Sequence, residues 1–184
     1  EDKMTSWRQE KLFMIRSDQN NLDEALKKRG YRFIDPTNIW SISSKTLSLQ
    51  QVPPVTAFSI YPPLAIQREL WMANGIDSSR MEIMGRVKTP KTTIFGRINA
   101  KPAASSFAAV AHKIAMVHAL IVDRKCHRQG MGKFVMQKAG DWAYQMGAKN
   151  VVALCTKENQ SANCFYKSLG MQLIGGYHYR LLKT

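Results

Sequence analysis

The chain has 184 residues, a length that suits one domain with an appended piece, and its 45% hydrophobic content is enough for a sizeable core. No apolar run approaches the ~18 residues of a membrane-spanning helix, so no membrane partner is expected, and no cleavable signal pattern opens the chain. Net charge is +14, split unevenly as +2 over residues 1–60 and +12 over residues 61–184. A field of that sign attracts polyanions, whether nucleic acid, a phosphorylated cofactor or an acidic protein; a merely solvated basic surface is the alternative. Glu1 in place of a start methionine points to a missing or processed N-terminus. Cys126, Cys155 and Cys164 are odd in number and form no Cys-x-x-Cys, and the four histidines include no His-Glu-x-x-His. Neither a disulfide framework nor a metal site is therefore expected, and a reducing cytoplasm is the expected compartment.

In chain order, Leu12 to Ile15 reads as a short strand. Asn21 to Arg29 reads as a helix, with Leu22, Ala25 and Leu26 on one face and Gly30 as its stop. Tyr31 to Ile42 reads as extended structure interrupted at Asp35-Pro36, followed by a polar loop through Pro53-Pro54. Val55 to Tyr61 is a strand. Pro62-Pro63 begins a helix that runs to about Asn74, and a second helix covers Asp77 or Ser78 to Val87. Thr92–Ile98 and Ser106–Ala111 read as paired strands around Asn99-Ala100-Lys101-Pro102. Ile114 to Val122 is a long apolar strand bounded by charge. Residues 131–146 form a helix with Phe134, Val135, Ala139, Trp142 and Met146 on one side. Val151 to Cys155 is a buried strand, Ser161 to Leu169 a helix closed by Gly170, and Met171 to Leu182 extended. Strands alternating with helices argue for an α/β domain with a mixed sheet.

The two ends of the chain echo each other. Residues 12–42 and 152–182 share one layout without a gap, with Gly30 matching Gly170, Lys27 matching Lys167 and Ile34 matching Ile174. Identity is otherwise low. Residues 1–52 then read as an N-terminal segment, the tail of a degenerate first copy, ahead of a main domain over 53–184; a shared generic unit is the alternative.

Residues 120–133 read Leu-Ile-Val-Asp-Arg-Lys-Cys-His-Arg-Gln-Gly-Met-Gly-Lys. A strand runs into a basic turn and then into two glycines that open a helix. N–H groups at a helix start lack intrahelical partners, and the helix dipole adds partial positive charge there, so such a turn suits a phosphorylated ligand. The pattern is neither Gly-x-Gly-x-x-Gly, since Val135 takes the third position, nor a Walker loop. A tight turn with glycines for packing is the alternative reading. Downstream stands Asn159-Gln-Ser-Ala162-Asn-Cys-Phe165-Tyr166-Lys-Ser-Leu-Gly170-Met171.

Together these two motifs, in this order and at this separation, resemble the GCN5-related N-acetyltransferase (GNAT) family over roughly residues 55–182. The resemblance implies an α/β fold with a mixed, mostly antiparallel twisted sheet, flanked by helices, whose central strands 114–122 and 150–155 splay around acetyl-CoA. It implies that Leu120, Ile121 and Val122 offer backbone groups to the pantetheine arm. It also implies that the turn His127, Arg128, Gln129, Gly130, Met131, Gly132 and Lys133 holds the pyrophosphate. His127 stands where the family usually has Arg or Gln, which touches one side-chain contact and leaves the amide cradle intact. Asn159, Ala162 and Phe165 are implied as cofactor contacts, and Tyr166 as the acid that protonates the leaving thiolate. Capping by Asn159, packing by Ala162 and Phe165, and a core role for Tyr166 are the alternatives.

A base must take a proton from the attacking ammonium. His118 lies on the strand that carries the cofactor contacts, and no carboxylate precedes Asp123 there. His178, in Tyr177-His178-Tyr179-Arg180, is the second candidate. The expected function is transfer of an acetyl group from acetyl-CoA to a primary amine, on a small molecule or a protein, by direct attack in a ternary complex. A non-catalytic acyl-CoA-binding regulatory module is the other reading. Cys126 sits in the basic turn, and Cys155 and Cys164 read as buried, so no cysteine is a compelling nucleophile. Nothing matches a nucleic-acid-binding module, so no nucleic-acid partner is expected. The acceptor is left open by the sequence, as is the oligomeric state, a homodimer included.

Overall fold

The protein is described by a computed structural model covering residues 1–183. Among the described residues there are seven α-helices and eight strands, and the chain divides into two compact units, Glu1–Trp40 with Leu154–Thr184 and Ser41–Ala153. The fold is mixed α/β and mostly antiparallel, as the sequence implies.

The first unit begins with α1 (Asp2–Ser6), β1 (Lys11–Arg16) and α2 (Asn20–Lys28), and continues into β2 (Arg32–Ser43). It ends with the last residues of β7 (Asn150–Thr156), α7 (Gln160–Ser168) and β8 (Gln172–Leu182). Strand β8 lies between β1 and β2, antiparallel to β1 from Lys11↔Leu182 to Arg16↔Tyr177. Alternation along β1 sends Phe13 and Ile15 to one face, where Ile15 packs with Leu26 of α2, Tyr31 and Leu182. Strand β2 is not interrupted at Asp35-Pro36. Asp35 takes a left-handed φ of +49° there and the strand continues on both sides, so the proline marks an irregularity rather than an end.

When 12–42 is laid on 152–182, α2 and α7 coincide, and position 23 matches 163, 38 matches 178 and 40 matches 180. The matched positions carry matched hydrogen bonds. Asp23 on α2 accepts from His178 and Arg180 on β8, both at 2.7 Å. Asn163 on α7 accepts from Asn38 at 2.8 Å and Trp40 at 3.0 Å on β2. Each helix thus anchors the strand that follows the other helix.

The second unit holds α3 (Ser44–Ser48), β3 (Ala57–Ile60), α4 (Ala65–Met72), α5 (Ser78–Arg86), β4 (Lys91–Ile98), β5 (Lys101–Ala111), β6 (Ile114–Val122), α6 (Met131–Gln145) and the start of β7. Its strands run in the order β7-β6-β5-β4-β3, antiparallel except for the parallel β6–β7 pair. Helix α4 starts at Ala65, not at Pro62-Pro63, because its first turn is closed by Gln67, whose Oε1 accepts the Leu64 N–H at 3.0 Å. The β4–β5 turn needs only Asn99 and Ala100, at φ +48° and +61°, so β5 starts five residues earlier than the sequence suggests.

Helix α6 packs against α3, β4 and β5 and buries Met131, Val135, Met136, Ala139, Trp142 and Ala143; Met146 is exposed, contrary to the face read from sequence. The stretch read as a loop contains α3, whose Leu47 is fully buried against Gly140 of α6. A Cβ at Gly140 would run into the Leu47 side chain. Gly140→Ala is therefore expected to cost about 1–3 kcal/mol through overpacking, despite alanine's higher helix propensity. At Gly85 of α5 a Cβ meets nothing within 4 Å, and Gly85→Ala is expected to gain up to about 1 kcal/mol. Urea midpoints moving in opposite directions check the pair; a shared sign would refute the packing account.

Candidate functional site

The turn after β6 is built by short-range polar contacts. Asp123 Oδ1 accepts the Lys125 N–H at 2.8 Å and starts a 3₁₀ turn over Arg124–Cys126. The His127 ring nitrogen Nε2 hydrogen-bonds the Val122 carbonyl at 2.9 Å, so this histidine closes the turn. Arg128 and Gly130 follow with φ of +61° and +79°, and Gly130 is the N-cap of α6 with no side-chain cap. Glycine suits that position because a left-handed φ carries no Cβ penalty there. Among the described residues, the N–H groups of Arg128, Gln129, Gly130, Met131, Gly132 and Lys133 have no hydrogen-bond acceptor. Six consecutive free amides at the positive end of a 15-residue helix form a concave donor set suited to an anionic oxygen cluster. A cavity of about 400 Å³ adjoins the turn, shares Gln129 and Met131 with it, and reaches Arg97 and Asn99 at the β4–β5 hairpin.

Strand β6 pairs in parallel with β7 from Ile114↔Asn150 to Val117↔Ala153. Beyond Val117, β6 runs on to Val122. Over that same length the β5 ladder shifts register between Ser105 and Phe107, and Ala119 of β6 sits at φ +52°. Alanine in that region costs about 1–2 kcal/mol, so something must hold it. The indole of Trp71, 1% exposed on α4, donates to the Ala119 carbonyl at 2.9 Å. One turn earlier on α4, the buried Gln67 contacts Thr93 of β4 at 3.2 Å and Ser105 of β5 at 3.3 Å.

His118 stands next to this bulge. Its side chain reaches solvent and makes no hydrogen bond among the described residues. Crowding around the ring, with the positive charge of Arg80, lowers its pKa below the usual 6.5. The imidazole is therefore neutral at pH 7, in the form that accepts a proton.

In the first unit, Asn159, Ala162, Phe165 and Tyr166 gather on α7. Asn159 Oδ1 accepts the Ala162 N–H at 3.0 Å and caps the helix. Phe165 and Tyr166 rings lie 5.4 Å apart. Tyr166 is buried, and its hydroxyl makes no hydrogen bond among the described residues. Burial pushes its pKa up to about 12, with a smaller contribution from Cys155, so the phenol keeps its proton at neutral pH.

His178, the second candidate base, is bound to Asp23 at 2.7 Å and stacked on Phe33 with ring centroids 4.3 Å apart. It belongs to the strand-anchoring cluster described above. Cys164 is exposed and Cys155 half-buried, not buried as the sequence suggests, because Cys164 lies on the outward side of α7. Among the described residues no group of His, Cys, Asp and Glu is arranged to hold a metal, and no helix is long and apolar enough to cross a membrane. The sequence places Trp71 and Gln67 only within a helix and gives neither a role. Their one signal is i, i+4 spacing of two large side chains with polar tips.

Residues 61–171 match the family model described as Acetyltransferase (GNAT) family. Among solved structures, the chain is similar to a GCN5-related N-acetyltransferase from Kribbella flavida, with a TM-score of 0.74 and 17% identity over 100% of this chain and 72% of that one. It is similar to a tandem GNAT protein from the clavulanic acid biosynthesis pathway, with a TM-score of 0.72 and 8% identity over 98% of this chain and 66% of that one. The ribosomal-protein-S18-alanine N-acetyltransferase from Escherichia coli aligns with a TM-score of 0.55 and 17% identity, over 69% of this chain and 92% of that one. No curated protein matches.

Proposed function

Because the chain belongs to the acetyltransferase (GNAT) family, we propose that it transfers an acetyl group from acetyl-CoA to a primary amine, in the cytoplasm, by direct attack in a ternary complex. The observation that carries this reading is the run of six unpartnered amides from Arg128 to Lys133 at the start of α6. Those amides take the pyrophosphate, and His127 contributes by closing the turn rather than by its charge. Backbone groups of Leu120, Ile121 and Val122, just past the Ala119 bulge of β6, take the pantetheine arm. Asn159, Ala162 and Phe165 complete the cofactor contacts from α7.

In the chemical step the amine nitrogen attacks the thioester carbonyl carbon and the C–S bond breaks. His118 takes the proton lost by the amine, and the Tyr166 hydroxyl gives its proton to the departing thiolate. The proton held by His118 returns through solvent, which restores the phenol. A neutral His118 and a protonated Tyr166 at pH 7 are the forms these roles require.

Residues 1–52 are read as the remnant of a first copy of this domain. The coincidence of α2 with α7, and the matched bonds of Asp23 and Asn163, support that reading.

Isothermal titration with acetyl-CoA, followed by thiol release against a panel of amines, tests the assignment. Saturable binding with amine-dependent release of CoA is the expected result. Binding without turnover on any amine would favour a regulatory acyl-CoA-binding module, a reading for which His127 in place of Arg or Gln speaks. Absence of binding would overturn both.

A further inference from the structure

We propose that Trp71 is a positioning residue for the acyl donor: its indole sets the backbone of the β6 bulge that meets the pantetheine arm and the thioester. The proposal rests on the acetyl-CoA reading above. Trp71 is 1% exposed and packs with Ile76 and Phe107, with Ala119 and Ile121 of β6 against the same cluster. Its Nε1–H donates to the carbonyl of Ala119, the residue at φ +52°. In a trans peptide the carbonyl of one residue and the N–H of the next point in opposite directions. Holding the Ala119 carbonyl toward α4 therefore aims the Leu120 N–H away from α4. Without the indole N–H, the Ala119 carbonyl would lack its side-chain donor, and the peptide joining Ala119 to Leu120 would lose that restraint on its rotation.

Gln67 supports the same device one helical turn away. Fully buried, it joins Thr93 to Ser105, the residue at which the β5–β6 register shifts. Helix α4 thus holds both strands of the irregular ladder, one through Gln67 and the other through Trp71. The glycine turn makes no contact with either side chain among the hydrogen bonds of the described residues. Diphosphate binding and arm alignment are therefore separable.

The test compares two probes: acetyl-CoA, and 3′-phospho-ADP, which keeps the diphosphate and lacks the pantetheine arm. In Trp71→Phe, acetyl-CoA is expected to bind about five- to tenfold more weakly, the effect of one lost hydrogen bond, while 3′-phospho-ADP stays within about twofold. Should Trp71→Phe fail to fold by circular dichroism, 3-benzothienylalanine at position 71 keeps the bicyclic shape and removes only the N–H, and the same split is expected. Equal weakening of both probes, or of neither, overturns the positioning role and leaves the acetyl-CoA reading standing. Failure of the parent protein to bind either probe overturns the acetyl-CoA reading, and the positioning role with it.

Discussion

Replacing Tyr166 with Phe is expected to lower kcat for acetyl transfer by about 10²–10³-fold, with the acetyl-CoA Kd unchanged within about twofold. The phenol is buried, holds its proton to about pH 12, and makes no hydrogen bond among the described residues. The hydroxyl has no protein hydrogen bond to lose and is not among the fully buried unpartnered polar atoms of the described residues, so its removal should leave stability nearly unchanged. The urea midpoint of Tyr166→Phe is accordingly expected to stay close to that of the parent. Single-turnover release of CoA, with the best amine from the panel, isolates the chemical step. An unchanged rate would remove Tyr166 from the mechanism and leave the thiolate to be protonated by solvent.

Asp23→Ala is expected to cost about 3 kcal/mol of stability. The Asp23 carboxylate binds the Arg180 guanidinium at 2.7 and 3.0 Å and also accepts from His178. Arg180 is 8% exposed, and once the carboxylate is gone its remaining partners among the described residues are the Tyr31 carbonyl at 3.3 Å and the Phe33 ring, 5.6 Å from the guanidinium carbon. The loss therefore leaves a largely desolvated cation with little compensation.

The same cluster predicts a pH dependence. Hydrogen bonds from Arg180 and His178 hold the Asp23 carboxyl well below the usual carboxylate range. A group whose pKa falls on folding stabilises the native state above its unfolded pKa and loses that contribution as pH falls toward its folded value. The parent should keep this contribution above about pH 5 and shed it on acidification, whereas Asp23→Ala should show a shallower acid limb in urea melts. Asp23→Asn, which gives α2 the residue that Asn163 gives α7, should fall between the two. Parallel acid limbs in parent and Asp23→Ala would refute the assignment.

Much of the second unit was legible from residue order because its signals are local. The bounds of β6 follow from an apolar run that stops at Asp123, and the start of α6 from Gly130 and Gly132. Helix α5 was legible at its start because Asp77 caps it, accepting the Arg80 N–H at 3.0 Å. Helix α3 was not, since Ser-Lys-Thr-Leu-Ser carries a single apolar residue and is held by Leu47 filling the space that Gly140, far along the chain, leaves open. The passage of β2 through Asp35-Pro36 was hidden for a related reason: local propensity argues for a break, and neighbouring strands override it. Turn residues of the candidate site were readable as a motif, but the direction of the His127 ring toward Val122 was not. Nor was the bulge at Ala119, for a left-handed alanine leaves no mark on composition or periodicity. It is visible only once the Trp71 indole is seen on its carbonyl.

Strand β8, inserted between β1 and β2, also sets an order of events during synthesis. Strand β1 emerges from the ribosome well before its ladder partner at Gln172–Leu182, so it stays without that partner until all the intervening chain has been made. Until then its edge, with Leu12 and Met14 toward solvent, is available to the wrong neighbour. Premature termination before residue 172 would release a nascent product with that edge permanently open. Chaperone dependence and aggregation of such truncated products should therefore track the absence of β8 rather than any defect in the second unit.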